Sequence, residues 1–375
     1  MGDHAVHGAD GSAGSAARAD ALSGDLERLR RMFANAAEFS SSPLYTSLSA
    51  TVAREPALLR LAARGRPGQY PTFLFFAAVH ALLLGGAQHE LGRFYPTIVG
   101  AAHAQDATSD RGRAAAGTAL VSFAAEHEDG LARLIETRLV QTNSVKRSLA
   151  LRVALALLAR EIDAPVHLVE VGASAGVHLR FDRFGYQLAG RRFGVPDSPV
   201  QITSQWRGGA QVPDLDALPA LASTVGVDLN PLDAADPADR RWLEALVFPE
   251  NRHQAALLRD ALAVVAEQPP QIRAGDAVDV CPQLGRELPV GEPRVVFHSA
   301  TRMHVPQERV AAFEDAIESI GEHGPLYRVW LEGSPDVDPR PQPAEPGAAL
   351  TLRRPGGQPT DVAIVEGRLE WIELL

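Results

Sequence analysis

The chain has 375 residues, of which 46% are hydrophobic and 22% charged, and it carries a formal net charge of −10 at pH 7. This composition is ordinary for a globular protein with an extensive core, and the acidic balance excludes nucleic acid or an anionic membrane as the main partner, since both need a basic face. The single cysteine, Cys281, excludes an internal disulfide and favours a reducing environment such as the cytoplasm.

The first segment, residues 1–24, lacks the basic start and apolar centre of a signal peptide. It predicts a disordered tail. The longest apolar run, Phe73 to Ala87, is too short to span a membrane and contains His80, so it predicts a buried helix.

Helical periodicity dominates residues 25–161. Apolar residues recur at i, i+3, i+4 and i+7 in several stretches of this range, which is the pattern of amphipathic helices. Its last part, Ser144 to Glu161, predicts a long helix with Asn143 or Ser144 as N-cap. We therefore predict a helical N-terminal domain over 25–161, followed by an α/β domain over 162–375.

Strands alternate with helices in the second domain. Val166 to Val171 is a short apolar run that ends in glycine, which is typical of a buried parallel strand. Later strands are predicted at 224–229, 271–274, 294–298, 326–331, 348–353, 361–366 and 368–374, and helices at 237–247, 253–267 and 307–320. This order predicts a mostly parallel sheet covered on both faces, with antiparallel strands at its end. Residues 184–206 predict a β insertion: a hairpin that turns at Ala189-Gly190, then a third strand.

The stretch LVEVGASAG, 168–176, supports two interpretations. As G-x-S-x-G it matches the nucleophile elbow of a serine hydrolase, with Ser174 as nucleophile and His298, His304 or His323 as base. As an apolar strand that ends in an acid and a glycine turn, it predicts a nucleotide-cofactor site. The upstream sequence is helical, whereas the elbow strand of a hydrolase follows several other strands. This difference favours the cofactor site.

Two acids follow later strands in the order that such a site requires. Asp228 ends an apolar run in GVDLNP, where an acid binds ribose hydroxyls, and Asp276 lies in GDAVD, where an acid can hold an adenine amino group. The ordered set resembles the Rossmann-like S-adenosylmethionine-dependent methyltransferases over residues 165–375. The cofactor-binding residues that this resemblance implies are Glu170, Gly172, Ser174, Gly176, Asp228, Asp276 and Ala277.

The chain departs from that pattern at two points. Ser174 stands where the first motif usually has its middle glycine, and Asp228 follows Gly172 by 56 residues (228 − 172). A simple βαβ unit places its acid about 20 residues after the glycines. The cofactor interpretation therefore requires that residues 184–206 be an insertion between two neighbouring strands.

Longer phrases resemble an uncharacterised bacterial family, domain of unknown function 2332, over about residues 26–375. The phrases that carry the resemblance are VQTNSVKRSLAL, LVEVGASAGVHLRFDRFGY, GVDLNPLDAADPADRRWLEALVFPE, GDAVD, VVFHSA and GRLEWIEL. The family implies no activity.

The candidate catalytic residues follow the strand VVFHS. His298 and His304 are candidate general bases, because imidazole titrates near neutral pH, and Arg302 can pair with an anionic substrate. Gln141 and Asn143, just before the long helix, are candidate substrate ligands. No Cys/His/Asp grouping has metal-ligand spacing, so we expect no metal.

We therefore predict an S-adenosylmethionine-binding protein that methylates a small molecule, without nucleic-acid or membrane partners. A serine hydrolase using Ser174 and a non-catalytic nucleotide-binding protein are the alternatives. The oligomeric state stays open.

Overall fold

A computed structural model of the protein describes residues 24–141, 144–332 and 347–375. The chain divides into two compact units: the described parts of Met1–Gln141 with Arg241–Arg252, and the described parts of Thr142–Arg240 with His253–Leu375. Apart from Gly24, the predicted tail lies outside the described residues.

The first unit is helical, as the periodicity predicts. Its helices are α1 24–35, α2 Pro43–Val52, α3 Pro56–Ala62, α4 Pro71–Leu84, α5 Pro96–Val99, α6 Asp110–Glu126 and α7 Glu128–Thr137. Four consecutive helices, α2 to α5, begin with proline at their first or second position. Proline suits this position because its missing N–H has no partner in the first turn of a helix and its φ is already helical. The prolines therefore set where these helices start.

The apolar run that begins at Phe73 lies in α4, whose residues are mostly buried. Its Phe76 stacks on Tyr45 and meets Phe33 and Phe39 edge-on, so aromatic rings form much of this core. Within the described ranges, no helix is both long and apolar enough to cross a membrane.

The second unit is an α/β structure built on one sheet. Among the described residues its strands are β1 Val166–Val171, β2 Gly185–Leu188, β3 Arg191–Gly194, β4 Gln201–Arg207, β5 Leu221–Asp228, β6 Gln271–Ala274, β7 Arg294–Ser299, β8 Leu326–Glu332, β9 Ala348–Arg353, β10 Thr360–Val365 and β11 Trp371–Leu374. Their spatial order is β3-β2-β4-β11-β10-β9-β8-β7-β1-β5-β6. Parallel pairs join β8, β7, β1, β5 and β6, and antiparallel pairs join β8 to β11 through β9 and β10.

The parallel half has the strand order of a Rossmann-like sheet. Without the insertion, β1, β5, β6, β7 and β8 are the first to fifth strands of this half, and they lie side by side in the order third, second, first, fourth, fifth. The strand order reverses between β1 and β7, and open α/β sheets bind ligands at such a switch point, beyond the carboxyl ends of the strands.

The predicted insertion forms the opposite edge of the sheet. Strands β2 and β3 make the hairpin, and Ala189 and Gly190 turn it with φ of 49° and 75°, the two positive values that a tight hairpin turn requires. Strand β4 pairs in parallel with β11, with Gln205 opposite Trp371. Because the insertion lies at the far edge, β1 and β5 remain neighbours despite the long spacing of Asp228 from Gly172.

Helices cover both faces of the parallel half. The described helices of this part of the chain are α8 Arg147–Leu158, α9 Pro237–Ala245, whose last residues belong to the first unit, α10 Arg252–Glu267, α11 Ala277–Glu287 and α12 Val310–Ser319. On one face, α11 and α12 pack with Val169 and Val171 of β1 in one apolar cluster. On the other face, α8 packs against β8 and β9 and against a 3-10 helix at His178–Arg183.

Two local predictions differ from the structure. The helix α8 starts later than predicted: its N-cap is Lys146, without a side-chain capping bond, rather than Ser144, and Asn143 lies outside the described residues. The helix α11 was not predicted, because Pro282 lies inside it and proline removes an intrahelical hydrogen bond.

Candidate functional site

A glycine turn leaves β1 at the switch point. Gly172 and Gly176 have φ of 81° and 74°, and Ser174 between them has a φ of 52°. A side chain at Gly172 would collide with Thr301, and one at Gly176 would collide with Pro270. Glycine is therefore required at both positions for backbone conformation and for space.

The amides of this turn bind protein acceptors. Ser174 N donates to Asp228 Oδ2 at 2.7 Å, and the N–H groups of Gly172 and Ala173 donate to Val227 O. Gly176 N donates to Ala173 O at 2.7 Å. The next element is the short 3-10 helix rather than an α-helix. The amides of Gly172, Ala173, Ser174 and Gly176 are therefore bonded within the protein, and the α-helix N-terminus that typically binds phosphate does not directly follow them.

Asp228 ties the second strand of the site to the first. It ends β5 and is 9% exposed, and its Oδ1 accepts a hydrogen bond from Asn230 N at 2.8 Å while Oδ2 binds Ser174 N. Burial raises the pKa of the Asp228 carboxyl, and the two N–H groups oppose that rise. The carboxylate is thus placed at the carboxyl end of β5, beside the glycine turn.

Asp276 continues this line of acids at the end of β6. Its side chain caps α11 by accepting from Val278 N at 2.9 Å, and it accepts from Arg309 Nη1 at 2.7 Å. The preceding Gly275 N donates to Asp228 O at 2.9 Å. The structure therefore brings Asp276 and Ala277 beside Asp228, and it also gives Asp276 a capping role.

Glu170 forms a buried pair with His178 at the end of β1. Glu170 is 2% exposed, and its Oε1 lies 2.7 Å from His178 Nδ1, while His178 Nε2 lies 3.0 Å from Ser144 O. A carbonyl can only accept, so Nε2 carries a proton. Burial raises the pKa of the Glu170 carboxyl, although the charge and hydrogen bond of His178 oppose the rise.

His298 forms a second buried pair, with Glu332, where β7 and β8 end. His298 is 1% and Glu332 4% exposed. Glu332 Oε1 lies 2.9 Å from His298 Nδ1 and accepts from the N–H groups of Thr301 at 3.0 Å and Arg302 at 3.1 Å. Among the described residues, His298 Nε2 and Glu332 Oε2 are buried without a hydrogen-bond partner.

The Glu332 carboxyl is held in its ionised form. Burial acts to raise its pKa, but the hydrogen bond and charge of His298 and the N–H groups of Thr301 and Arg302 outweigh burial and lower it. Arg147, at the start of α8, adds positive charge. Burial lowers its pKa, and the charges of Glu332 and Glu170 oppose that change. The two pairs therefore share one electrostatic environment at this edge of the sheet.

The other predicted residues lie around or away from this cluster. Arg302 Nε forms an ion pair with Glu314 Oε1 on α12 at 3.0 Å, and His304 is exposed on the next turn. Gln141 belongs to the helical unit, and Asn143 lies outside the described residues. In the part of the chain that the structure describes, no three His, Cys, Asp or Glu side chains are grouped to hold a metal ion.

A protein-family model matches the sequence of this chain. The model of uncharacterised proteins conserved in bacteria, DUF2332, matches residues 27–374, nearly the whole length.

The chain belongs to the DUF2332 family.

No curated protein matches the chain.

Three ionisable members of the site in this DUF2332 chain were not predicted from the sequence: Arg147, His178 and Glu332. His178 follows the glycine turn and comes eight residues after Glu170, and an acid and a histidine so close to one turn were a usable signal. Glu332 is paired with a residue 34 positions away, and only the alignment of β7 and β8 brings the two together.

Proposed function

We propose that this DUF2332 protein binds S-adenosylmethionine at the switch point of its sheet and transfers the methyl group to a small molecule. The observation that carries the proposal is the placement of Asp228: it ends the strand beside β1 and its carboxylate binds the glycine turn. An acid at this place in a Rossmann-like sheet binds ribose hydroxyls.

The bonding of the turn favours a cofactor without phosphate groups. Four amides of the turn already donate to protein acceptors, and no α-helix N-terminus follows it. A dinucleotide needs both features for its pyrophosphate. S-adenosylmethionine has a ribose, an adenine and an amino acid but no phosphate, so the acids at the strand ends suit it better than NAD.

Each acid has a distinct role in this arrangement. Asp228 would hold the ribose hydroxyls, because its carboxylate lies at the carboxyl end of β5, beside the glycine turn. Asp276 and Ala277 would border the adenine. Glu170 lies beneath the turn and its Oε2 is buried without a partner among the described residues, so it would bind a hydrogen-bond donor of the amino-acid part.

The reaction needs few protein groups. The bound cofactor supplies an electrophilic methyl group on a sulfonium. The protein aligns an acceptor with that methyl, excludes water and removes a proton where the acceptor carries one. His298 lies at the carboxyl end of β7, on the other side of β1 from Asp228, which is where substrates of such sheets bind.

A second candidate, a serine hydrolase, is favoured by one observation. Ser174 has a φ of 52°, and a nucleophile elbow holds its serine on a strained turn. However, the backbone N–H of Ser174 donates to Asp228 at the end of β5. His298 lies on β7, which is the neighbour of β1 on its other side. His323 O accepts from Gly291 N, before the starts of β7 and β8 and therefore at the opposite edge. We expect no labelling of Ser174 by a fluorophosphonate probe, and labelling would favour the hydrolase.

Ligand binding tests the proposal directly. We expect S-adenosylmethionine and S-adenosylhomocysteine to raise the melting temperature, because a ligand at about 100 times its Kd stabilises the folded state by about 2.7 kcal/mol. NAD should have no such effect. Asp228→Ala should weaken the binding of both adenosyl compounds about 10- to 100-fold in calorimetry, since a hydrogen bond to a charged group contributes about 1.5–3 kcal/mol.

The matched control is Asp216→Ala. Asp216 lies between β4 and β5, accepts the backbone N–H of Gly194 at 2.7 Å and pairs with Arg152 at 2.8 Å, away from the glycine turn. Its loss should therefore leave the binding constants unchanged. The proposal would be contradicted if neither adenosyl compound stabilises the wild-type protein. It would also be contradicted if Asp228→Ala binds both compounds as tightly as the wild-type protein does.

A further inference from the structure

The pair His298–Glu332 is built differently from the pair Glu170–His178. His178 has both ring nitrogens beside protein acceptors, whereas His298 Nε2 is buried and has no partner among the described residues. We propose that His298 is the general base of the reaction, that Glu332 is its positioning residue, and that the methyl acceptor is a neutral nucleophile with a proton to lose, such as an amine or a hydroxyl. This inference rests on the proposed function.

The contacts of Glu332 determine which nitrogen of His298 is the base. Glu332 Oε1 accepts from the N–H groups of Thr301 and Arg302, which hold it as a carboxylate, and it lies 2.9 Å from His298 Nδ1. A carboxylate only accepts hydrogen bonds, so Nδ1 carries the proton of the neutral ring. The lone pair is then on Nε2, the atom without a partner. A carboxylate in this position also stabilises the imidazolium that forms, as the aspartate of a catalytic triad does.

The surroundings of the ring keep it in place. Trp330 lies parallel to it, with centroids 6.2 Å apart, and Phe313 meets it edge-on at 5.9 Å. The charged and titratable groups around the pair are Arg147 on α8 and His304 on the following turn, both within the field of Glu332. Such a site holds one rotamer and one tautomer of His298, as a base in a fixed direction requires.

Other histidines of the unit fit the role less well. His178 Nε2 donates to Ser144 O, and its Nδ1 faces Glu170, so neither nitrogen offers a lone pair to a substrate. His304 is exposed on a 3-10 turn, whereas His298 is buried. His323 lies at the opposite edge of the sheet. Of these four histidines, His298 is the one whose buried Nε2 has no partner among the described residues and which lies at the carboxyl ends of the strands.

A lone pair of the acceptor atom forms the bond to the methyl carbon, and the carbon–sulfur bond breaks with its electron pair going to sulfur. The proton of the acceptor moves to His298 Nε2, which becomes imidazolium beside the Glu332 carboxylate. The products are the methylated acceptor and S-adenosylhomocysteine, and His298 then returns its proton to solvent.

Nitrogen NMR of the protein labelled with ¹⁵N-histidine tests the assignment without an acceptor. His298→Gln identifies the signals of His298. In the wild-type protein the neutral ring should show a protonated Nδ1 and an unprotonated Nε2. Glu332→Leu should lose this tautomer preference, and Glu332→Gln should retain it, because its amide oxygen can still accept from Nδ1 and the two backbone amides. If Glu332 only supported the fold, replacing it with leucine would leave the tautomer of His298 unchanged.

The same nitrogen NMR measurement can be made on the protein with each ligand bound. S-adenosylmethionine and S-adenosylhomocysteine differ by one methyl group and one charge, so the Nε2 shift of His298 should differ between the two complexes. His80 in the helical unit is the internal reference and should give one shift in both.

Three results would overturn the inference. A protonated Nε2 in the neutral ring would exclude His298 as the base and leave the proposed function untouched. Equal Nε2 shifts with both ligands, while calorimetry shows both bound, would place His298 away from the methyl group. Absence of binding in calorimetry would overturn the proposed function, and the acceptor assignment with it.

Discussion

The same two residue types form both buried pairs of the site, and their surroundings give them opposite properties. Glu170 is surrounded by few donors, so burial raises its pKa, whereas Glu332 receives three donors and its pKa is lowered. The difference comes from the backbone: the turn after β7 directs the N–H groups of Thr301 and Arg302 at Glu332. Desolvation and hydrogen bonding compete at each carboxyl, and the donor count decides the outcome.

Gly172 offers a test at the scale of one residue. We expect Gly172→Ala to lower the free energy of unfolding more than Gly190→Ala does. Both positions have a positive φ, of 81° and 75°, which costs a residue with a Cβ about 1–2 kcal/mol. Only at Gly172 does the new methyl also collide with Thr301, whereas Gly190 has open space around it. Urea unfolding of the two variants measures the difference.

Thr301→Ala separates the collision from the backbone strain. In the double variant with Gly172→Ala, the loss should shrink toward that of Gly190→Ala, because residues in contact are not additive. Equal losses for the two glycine variants would mean that the turn relaxes and that Thr301 does not enforce the glycine.

Individual site residues were predictable where their signal is local. Gly172, Gly176 and Asp228 are recognisable because a turn or a strand end lies beside each in the sequence, and the structure does bring Asp228 to the turn. Glu332 was not predictable, because its role depends on contacts with His298, Thr301 and Arg302, some 30 residues away. The direction of a side chain and the number of donors around it are set by the folded sheet, so the local sequence does not reveal them.

At the scale of elements, strands were predicted more accurately than helix ends. The strands β6 and β9 have the predicted bounds, because apolar runs flanked by glycine, proline or charge identify them. The helix α11 was missed: Pro282 interrupts its pattern, yet its apolar face packs in the core with Cys281 and Leu284. Tertiary packing thus overrides the low helix propensity of proline.

The proline of α11 should therefore cost stability. We expect Pro282→Ala to raise the free energy of unfolding by about 1–3 kcal/mol, since an interior proline removes one intrahelical hydrogen bond and its ring crowds the preceding turn. Urea unfolding of Pro282→Ala and of the wild-type protein measures the gain in the free energy of unfolding.

Pro237→Ala is the matched control for that substitution. Pro237 is the first residue of α9, where proline is favoured, so this change should give no gain. A loss of stability in Pro282→Ala would show that the ring of Pro282 contributes packing, or a restraint on the unfolded chain, that outweighs the missing hydrogen bond.

At the scale of the whole molecule, the fold class was predictable and the partner of β4 was not. Alternating strands and helices predict a mostly parallel sheet, but nothing in residues 184–206 indicates that β4 pairs with β11. Those partners are separated by 166 positions (371 − 205). Long-range pairing of this kind is decided by which edges remain open once the local units form.

The helical unit should be sensitive to acid. His80 is fully buried between Ala245 O and Thr97 Oγ1, and burial lowers its pKa to about 4. Below pH ~6.5 the unfolded chain takes up a proton that the folded one does not, so stability falls as the pH falls from about 6.5 to about 4. The loss is about 3 kcal/mol, at about 1.4 kcal/mol for each pH unit.

Urea unfolding between about pH 7 and pH 4 tests this dependence. His80→Asn keeps a donor toward Ala245 O. It should reduce the loss of unfolding free energy between about pH 7 and pH 4 by about 3 kcal/mol. His103→Asn, at an exposed position of the same unit, should leave the wild-type dependence intact. An unchanged slope in His80→Asn would mean that His80 gains solvent or a counter-charge when it is protonated.

The pairing of β4 with β11 also has a consequence for synthesis on the ribosome. The partner of Gln205 is Trp371, so β4 leaves the ribosome 166 residues before the strand that covers its edge. At about 5–20 residues per second, this interval is about 10–30 s. During that time β4 has an unpaired edge, and unpaired edges recruit other chains. The nascent protein is thus most exposed to aggregation at its middle, and we expect chaperone contact with residues 185–207 to end when β11 emerges.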